Sequence, residues 1–159
     1  VIVHFLKWFK TVNGFLPEYI TFCPPTNPML KTETIRKMLN QLQKNSHFNS
    51  IVTYTETKTH PFLTISIEEN GKLMNDAVVI DGKTINDVEQ SQDFPVVFQG
   101  SPACRITRSH FFMDLLKKSH KDLAVVKAQK SHCIGYLISQ QEASDIDIMN
   151  DFLFIQKNY

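Results

Sequence analysis

The sequence predicts an α+β fold: two βαββ(β) pseudo-repeats, with a mainly antiparallel sheet and both helices on one face. Three observations predict it. Apolar residues recur at helical spacing in two separate stretches. Runs of strand length, rich in β-branched and aromatic residues, follow each of them. Matching residues recur between the two regions at a shift of 72 or 73. Spacing and self-similarity of this kind report element type and architecture.

Residues 1–16 are strongly apolar. Ile2, Phe5, Leu6, Phe9, Val12 and Leu16 fall at helical spacing, with Lys7 and Lys10 elsewhere on the wheel. The segment reads as a docked amphipathic helix or, alternatively, a strand through Val1–Phe5. Asn13–Gly14 is a turn signal, and Tyr19–Cys23 a short strand before Pro24, Pro25 and Pro28 break the chain. Ile35, Met38, Leu39 and Leu42 form one apolar stripe at i, i+3, i+4 and i+7, the pattern of a helix lying on a core. Thr32 or Thr34 is expected to cap its start.

The period then changes. Ser50–Thr57 and Phe62–Ile67 read as strands. Asn70–Gly71 reads as a hairpin turn leading to Leu73–Ile80. Residues 83–102 form a connector. Ala103–Thr107 is a strand, and Ser109 caps a second helix with Phe111, Phe112, Leu115 and Leu116 on its buried side. Leu123–Ala128 and Cys133–Ile138 are expected strands. Asp145–Gln156 fits a strand pair or a helix equally well. The expected organisation is a single domain over 1–159, with pseudo-repeats at 19–82 and 103–156.

The repeat itself rests on specific matches. At a shift of 73, Lys44-Asn45-Ser46-His47 falls on Lys117-Lys118-Ser119-His120, and Met38, Leu39 and Leu42 fall on Phe111, Phe112 and Leu115. At a shift of 72, Lys58-Thr59-His60 falls on Lys130-Ser131-His132.

At 159 residues and 42% hydrophobic content the chain can bury a sizeable core, and its composition excludes a disordered or collagen-like chain. The widely spaced Cys23, Cys104 and Cys133 contain no CxxC pair and imply no disulfide framework. They read as buried, reduced thiols of an intracellular protein, cytoplasmic or nuclear. No transmembrane segment is expected, because charges interrupt the apolar start. The chain begins at Val1, which reads as a fragment or a processed product.

Seventeen basic residues nearly balance sixteen acidic ones, but not locally. Residues 28–47 and 108–121 each carry four basic residues and one acid, so both helix regions stand at +3 and the remainder at −5. Arg36, Lys37 and Lys44 lie on the outward side of the first helix. Arg108, Lys117, Lys118 and Lys121 lie at the start and on the outward side of the second. Such surfaces can track phosphates without reading bases, and with three arginines in the chain bidentate base reading is not expected.

A repeated βαβββ unit with basic helices resembles the sliding DNA clamps, such as proliferating cell nuclear antigen and the checkpoint clamp subunits. ACRITRSHFFMDLLKKSHKDLAVVKAQKSHCIGYLISQQEASDIDI (103–148) and the stretch Thr34–Ile80 carry the resemblance. It implies a non-catalytic DNA-binding or scaffold module that contacts duplex DNA through Arg36, Lys37, Lys44, Arg108, Lys117, Lys118 and Lys121. It also implies protein partners docked on Val96, Val97 and Phe98 of the connector, and a homo- or hetero-oligomer. A clamp chain of eukaryotic type has four such repeats, and two are visible here.

No residue is expected to be catalytic, no metal site is expected and no cofactor is implied. HExxH, GxSxG and Gly-rich phosphate loops are missing from the sequence. His47, His60, His120 and His132 read as turn residues at element ends. Asp145 and Asp147 would share one face of a strand and could hold a cation, although a solvated edge is the plainer reading. The alternative function, drawn from the aromatic-rich core and the apolar Phe152–Ile155, is a PAS-like sensory or regulatory domain binding a small ligand or a protein.

Overall fold

A computed structural model describes residues 1–74, 78–118 and 132–158. Its elements run α1 (Ile2–Asn13), β1 (Tyr19–Phe22), α2 (Thr32–Lys44), β2 (Ser50–Glu56), β3 (Ser66–Ile67), β4 (Leu73–Met74), β5 (Phe98–Arg108), α3 (Ser109–Lys118), β6 (Cys133–Leu137) and α4 (Met149–Asn158). The chain is a mixed α+β protein with one four-stranded sheet and four described helices. It divides into two compact units, residues 1–55 with 100–159, and residues 56–99.

In the first unit the sheet order is β1-β5-β2-β6. β1 pairs antiparallel with β5, and β2 pairs parallel with β6. The Arg108 N–H donates to the Asn49 carbonyl, while Thr53 meets Cys104 further along. Residue numbers therefore rise on β2 as they fall on β5, and that pair is antiparallel. β1, β2 and β6 thus point one way, and only β5 runs against them.

The stripe on α2 packs on one sheet face. Met38 and Leu42 are fully buried against Ile51, Cys104 and Ile106, with Ile35, Leu39, Tyr19 and Tyr136 around them. Burial of each such aliphatic side chain stabilises by about 1.5–3 kcal/mol. Val52 follows Ile51 and so faces the other side of the sheet. There it borders a cleft with Ile2 of α1 and Arg105. α1 packs against α3, and Leu6 and Phe112 are buried.

Two side chains stitch these strands. Pro102 in β5 has no N–H for the ladder. The Thr53 hydroxyl donates toward the Ser101 and Cys104 carbonyls and accepts from the Cys104 N–H, each at 3.0 Å. Arg108 ties β5 to the end of α2. Its Nη2 donates to the Leu42 carbonyl at 2.9 Å, Nε to the Phe48 carbonyl at 3.2 Å and Nη1 to the Tyr19 hydroxyl at 2.9 Å. A cation at a helix C-terminus is favourable on both hydrogen-bonding and dipole grounds.

The expected pair of side-by-side repeats is not what the chain builds. The strands assigned to the first repeat, β1 and β2, alternate with those of the second, β5 and β6, in one sheet. α2 lies on the Ile51 face, while α3 packs with α1, whose Ile2 borders the opposite face. Two βα units shared an apolar pattern because each helix must cover a sheet, without sharing a face. The expected strand Leu123–Ala128 lies outside the described residues.

Residues 56–99 form the second unit. His60 accepts from the Phe62 N–H through Nδ1, which leaves Nε2 to donate to the Pro95 carbonyl at 3.0 Å. His60, Phe62 and Phe94 form a ring cluster of edge-to-face and tilted contacts with centroids 4.7–5.4 Å apart. The Asn70–Gly71 turn is present, with Gly71 at φ 85°, and joins two strands of two residues each. The expected strand Phe62–Ile67 is present only as Ser66–Ile67, while Phe62 and Leu63 belong to a 3-10 turn (Pro61–Leu63), which Pro61 presets.

Candidate functional site

Since β1, β2 and β6 are parallel, their carboxyl ends share one edge of the sheet. In open α/β sheets ligands bind outside the carboxyl ends of strands. Two of the segments that leave this edge, residues 23–31 after β1 and residues 138–148 after β6, are bonded to each other.

The bonds are specific. Asn27, 4% exposed, donates through Nδ2 to the Ser144 carbonyl at 3.0 Å. The Ile146 N–H donates to the Thr26 carbonyl at 2.9 Å. Glu142 is a buried carboxylate that accepts from the Lys31 N–H and the Thr34 hydroxyl, and its own N–H donates to Ser139 Oγ. The expected cap from Thr32 or Thr34 is absent, since Lys31 stands at the N-cap with no side-chain cap bond. Glu142 supplies that anion from more than a hundred residues away, where the first-turn N–H groups and the helix dipole favour it.

Two polar atoms in these segments have no hydrogen-bond partner although they are shielded from solvent: Asn27 Oδ1 and Asp145 Oδ1. Buried polar atoms are ordinarily paired, so both oxygens have unused capacity. Asp147 is exposed. Its N–H and that of Ile148 donate to Asp151 Oδ2, at 3.1 and 3.0 Å, which fixes the start of α4. Asp145 and Asp147 therefore lie in an irregular connector, bent at Asp147–Ile148, that leads into a helix, and the undecided 145–156 segment is helical from Met149. Among the described residues no three His, Cys, Asp or Glu side chains are grouped as a ready metal site. A cleft of about 270 Å³ borders the same strands, lined by Phe22 at the end of β1, by Ser101, Pro102, Cys104 and Arg105 of β5, and by Val52 and Ile2.

The residues expected to contact DNA are dispersed. Arg36, Lys37 and Lys44 are exposed on α2, and Lys37 pairs with Glu33 at 3.9 Å. Arg108 is committed to Tyr19, Leu42 and Phe48. Lys117 and Lys118 end α3, and Lys121 lies outside the described residues. Val96 and Val97 precede β5 and Phe98 is its first residue, all three in the 56–99 unit, with Val96 and Phe98 exposed. His60 does cap a turn, as expected of it. Asn27 and Glu142 carried no signal in the sequence beyond lying between turn residues.

No family model and no curated protein matches the chain. Solved structures do. The chain superposes on 4-diphosphocytidyl-2C-methyl-D-erythritol synthase from Anaerococcus prevotii with a TM-score of 0.52 and 14% identity, covering 95% of this chain and 64% of that one. It superposes on CMP:2-keto-3-deoxy-manno-octonic acid synthetase in complex with CTP with a TM-score of 0.58 and 5% identity, covering 98% of this chain and 68% of that one. The chain thus spans about two thirds of the length of each. At these identities the likeness is one of fold. It overturns the sliding-clamp resemblance, and with it the reason for placing DNA against the basic helices, since the matching structures are a synthase and a synthetase and not clamps. Neither the fold nor the comparisons support the PAS-like alternative. Among the described residues no helix is long and apolar enough to cross a membrane.

Proposed function

We propose that this chain belongs to an enzyme of the cytidylyl-transferring kind, with its nucleotide phosphates handled at the carboxyl edge formed by residues 23–31 and 138–148. The observation that carries the reading is the fold. Both structural neighbours are named for a cytidine nucleotide product, and one is complexed with CTP. The reaction class is attack of an acceptor oxygen on the α-phosphorus of CTP, with pyrophosphate leaving.

The site's own residues support that reading. Charge on transferring phosphates needs neutralising, and Mg²⁺ is commonly held by one or two carboxylates plus the substrate's phosphates. Asp145 and Asp147 would hold such a cation. The unpartnered Asp145 Oδ1 fits one, and the cation would supply stabilisation of phosphate charge. Two protein carboxylates suffice where the nucleotide completes the shell. Glu142 holds the Asp145–Asp147 connector by anchoring its start to α2, and Asn27 holds it through Ser144.

Calorimetric titration of the full chain with CTP and Mg²⁺ tests the reading. Binding is expected for CTP above UTP and ATP, weakened at least ~10-fold by Asp145→Asn or Asp147→Asn while the melting temperature holds. Absence of CTP binding by the wild type, or binding that both substitutions leave unchanged, refutes it.

A further inference from the structure

We propose that Cys23 and Cys104 are a redox-modifiable dithiol, which a low-molecular-weight disulfide converts into a cross-strand bridge. This stands independently of the nucleotide reading.

Strand register brings the two cysteines together. β1 and β5 pair from Tyr19 with Arg108 to Phe22 with Arg105, so the next facing pair is Cys23 and Cys104. The Ser109 N–H donates to the Glu18 carbonyl, which marks that pair as hydrogen-bonded. Alternation along the ladder makes Cys23 and Cys104 a non-hydrogen-bonded pair, the kind whose side chains approach more closely. Their Cα atoms then fall in the range a disulfide spans. The sulfurs are 3.6 Å apart, with the Cys23 thiol donating to Cys104 Sγ.

The two thiols have different roles in the exchange. Cys23 is exposed, and Cys104 is 1% exposed. Burial, reinforced by Cys23, pushes the Cys104 thiol up to about 12, so exchange begins at Cys23. With oxidised glutathione, the Cys23 thiolate attacks one sulfur. The glutathione S–S bond breaks, and one glutathione leaves and takes up a proton. Cys104 then loses its proton and attacks Cys23 Sγ, and the second glutathione leaves as thiol. Two protein thiols are oxidised and one glutathione disulfide is reduced to two thiols. Proximity of the resolving sulfur offsets its low acidity. The bridge would pin the four-residue edge strand β1 immediately before Pro24-Pro25-Thr26-Asn27 of the candidate site.

The test treats the full chain with oxidised glutathione, alkylates the remaining thiols after denaturation and maps the peptides. The expected result is a Cys23–Cys104 linked peptide, with Cys133 the one thiol of three left to alkylate, and complete reversal by dithiothreitol. Cys23→Ser, an exposed substitution, is expected to leave Cys104 reduced. Cys104→Ser is expected to stall as a glutathione adduct on Cys23. A wild type that keeps three free thiols, holds a stable adduct on Cys23, or links to a second chain through Cys23 would overturn the inference.

Discussion

The sheet unit and the 56–99 unit reach order by different means. The first buries Met38, Leu42, Ile51, Cys104 and Ile106 to 1% exposure or less. In the second, Phe62 is the one buried apolar side chain among the described residues, while Leu63, Ile65, Ile67, Leu73, Val79 and Val96 are exposed. What holds it is local: His60 bridging the Phe62 N–H and Pro95, a ring cluster, an Asn-Gly hairpin and a capping box at Thr84. Core burial makes a cooperative unit, whereas turn chemistry fixes conformation with little area removed from water. Segments of the second kind open locally at lower free energy.

The largest effects should separate the two. Leu42→Ala is expected to lower the unfolding free energy of the sheet unit by about 2–5 kcal/mol, a transfer term plus a cavity term, read by denaturant titration. Phe62→Ala is expected to raise amide exchange across 56–99 while the sheet unit's midpoint stays put. If Phe62→Ala shifts that midpoint as much as Leu42→Ala does, the two units are one cooperative body and the contrast is void.

Thr53→Val probes a smaller term inside the sheet unit. The substitution keeps the shape but leaves the buried Cys104 N–H without its acceptor. The expected loss is about 1–3 kcal/mol, the desolvation cost of an unpaired donor. Equal stability of the variant would show that the hydroxyl does not bridge the gap left by Pro102.

How much of this was legible in the sequence differs between the same regions. The α2 stripe was legible because four apolar residues at helical spacing have few other uses, and Ser50–Thr57 because its β-branched run matches a strand. Strand order was not, since local pattern carries no record of which strands become neighbours. That gap is why two similar βα patterns read as side-by-side repeats, which the strand order does not confirm. It also hid Cys23 beside Cys104, which are 81 residues apart. Arg108 read as a surface cation because its acceptors, the Leu42 and Phe48 carbonyls, are backbone groups that composition does not reveal. Asp145 and Asp147 were visible as a pair, but the junction around them depends on Asn27 and Glu142, and so on a contact between distant segments.

Alkaline pH gives a weaker but signed comparison. Cys104 titrates near 12 in the fold, against an ordinary value of 9.0, chiefly through burial. The unfolded chain then loses this proton first. Above about pH 9 it binds fewer protons than the native state, so stability falls as pH rises until the folded thiol itself ionises near 12. Below pH 9 the group contributes no slope. Stability measured against pH should fall less steeply above 9 in Cys104→Ser than in wild type. Parallel curves would mean that Cys104 is not shielded.

The smallest effect belongs to the 56–99 unit and tests whether its order is truly local. The Asp87 carboxylate accepts from the Thr84 N–H at 2.7 Å and the Thr84 hydroxyl at 2.8 Å, and these bonds hold it below the ordinary carboxylate value of 3.8. Its contribution is present above that value and disappears as pH falls through the folded one. NMR titration should find Asp87 more acidic than a free aspartate, and Thr84→Val should move it back toward the ordinary value by removing the hydroxyl donor. Because the cap closes only its own turn, Thr84→Val should leave the midpoint of the sheet unit unchanged. Any such shift would mean that the Thr84–Asp87 cap supports more than its own turn.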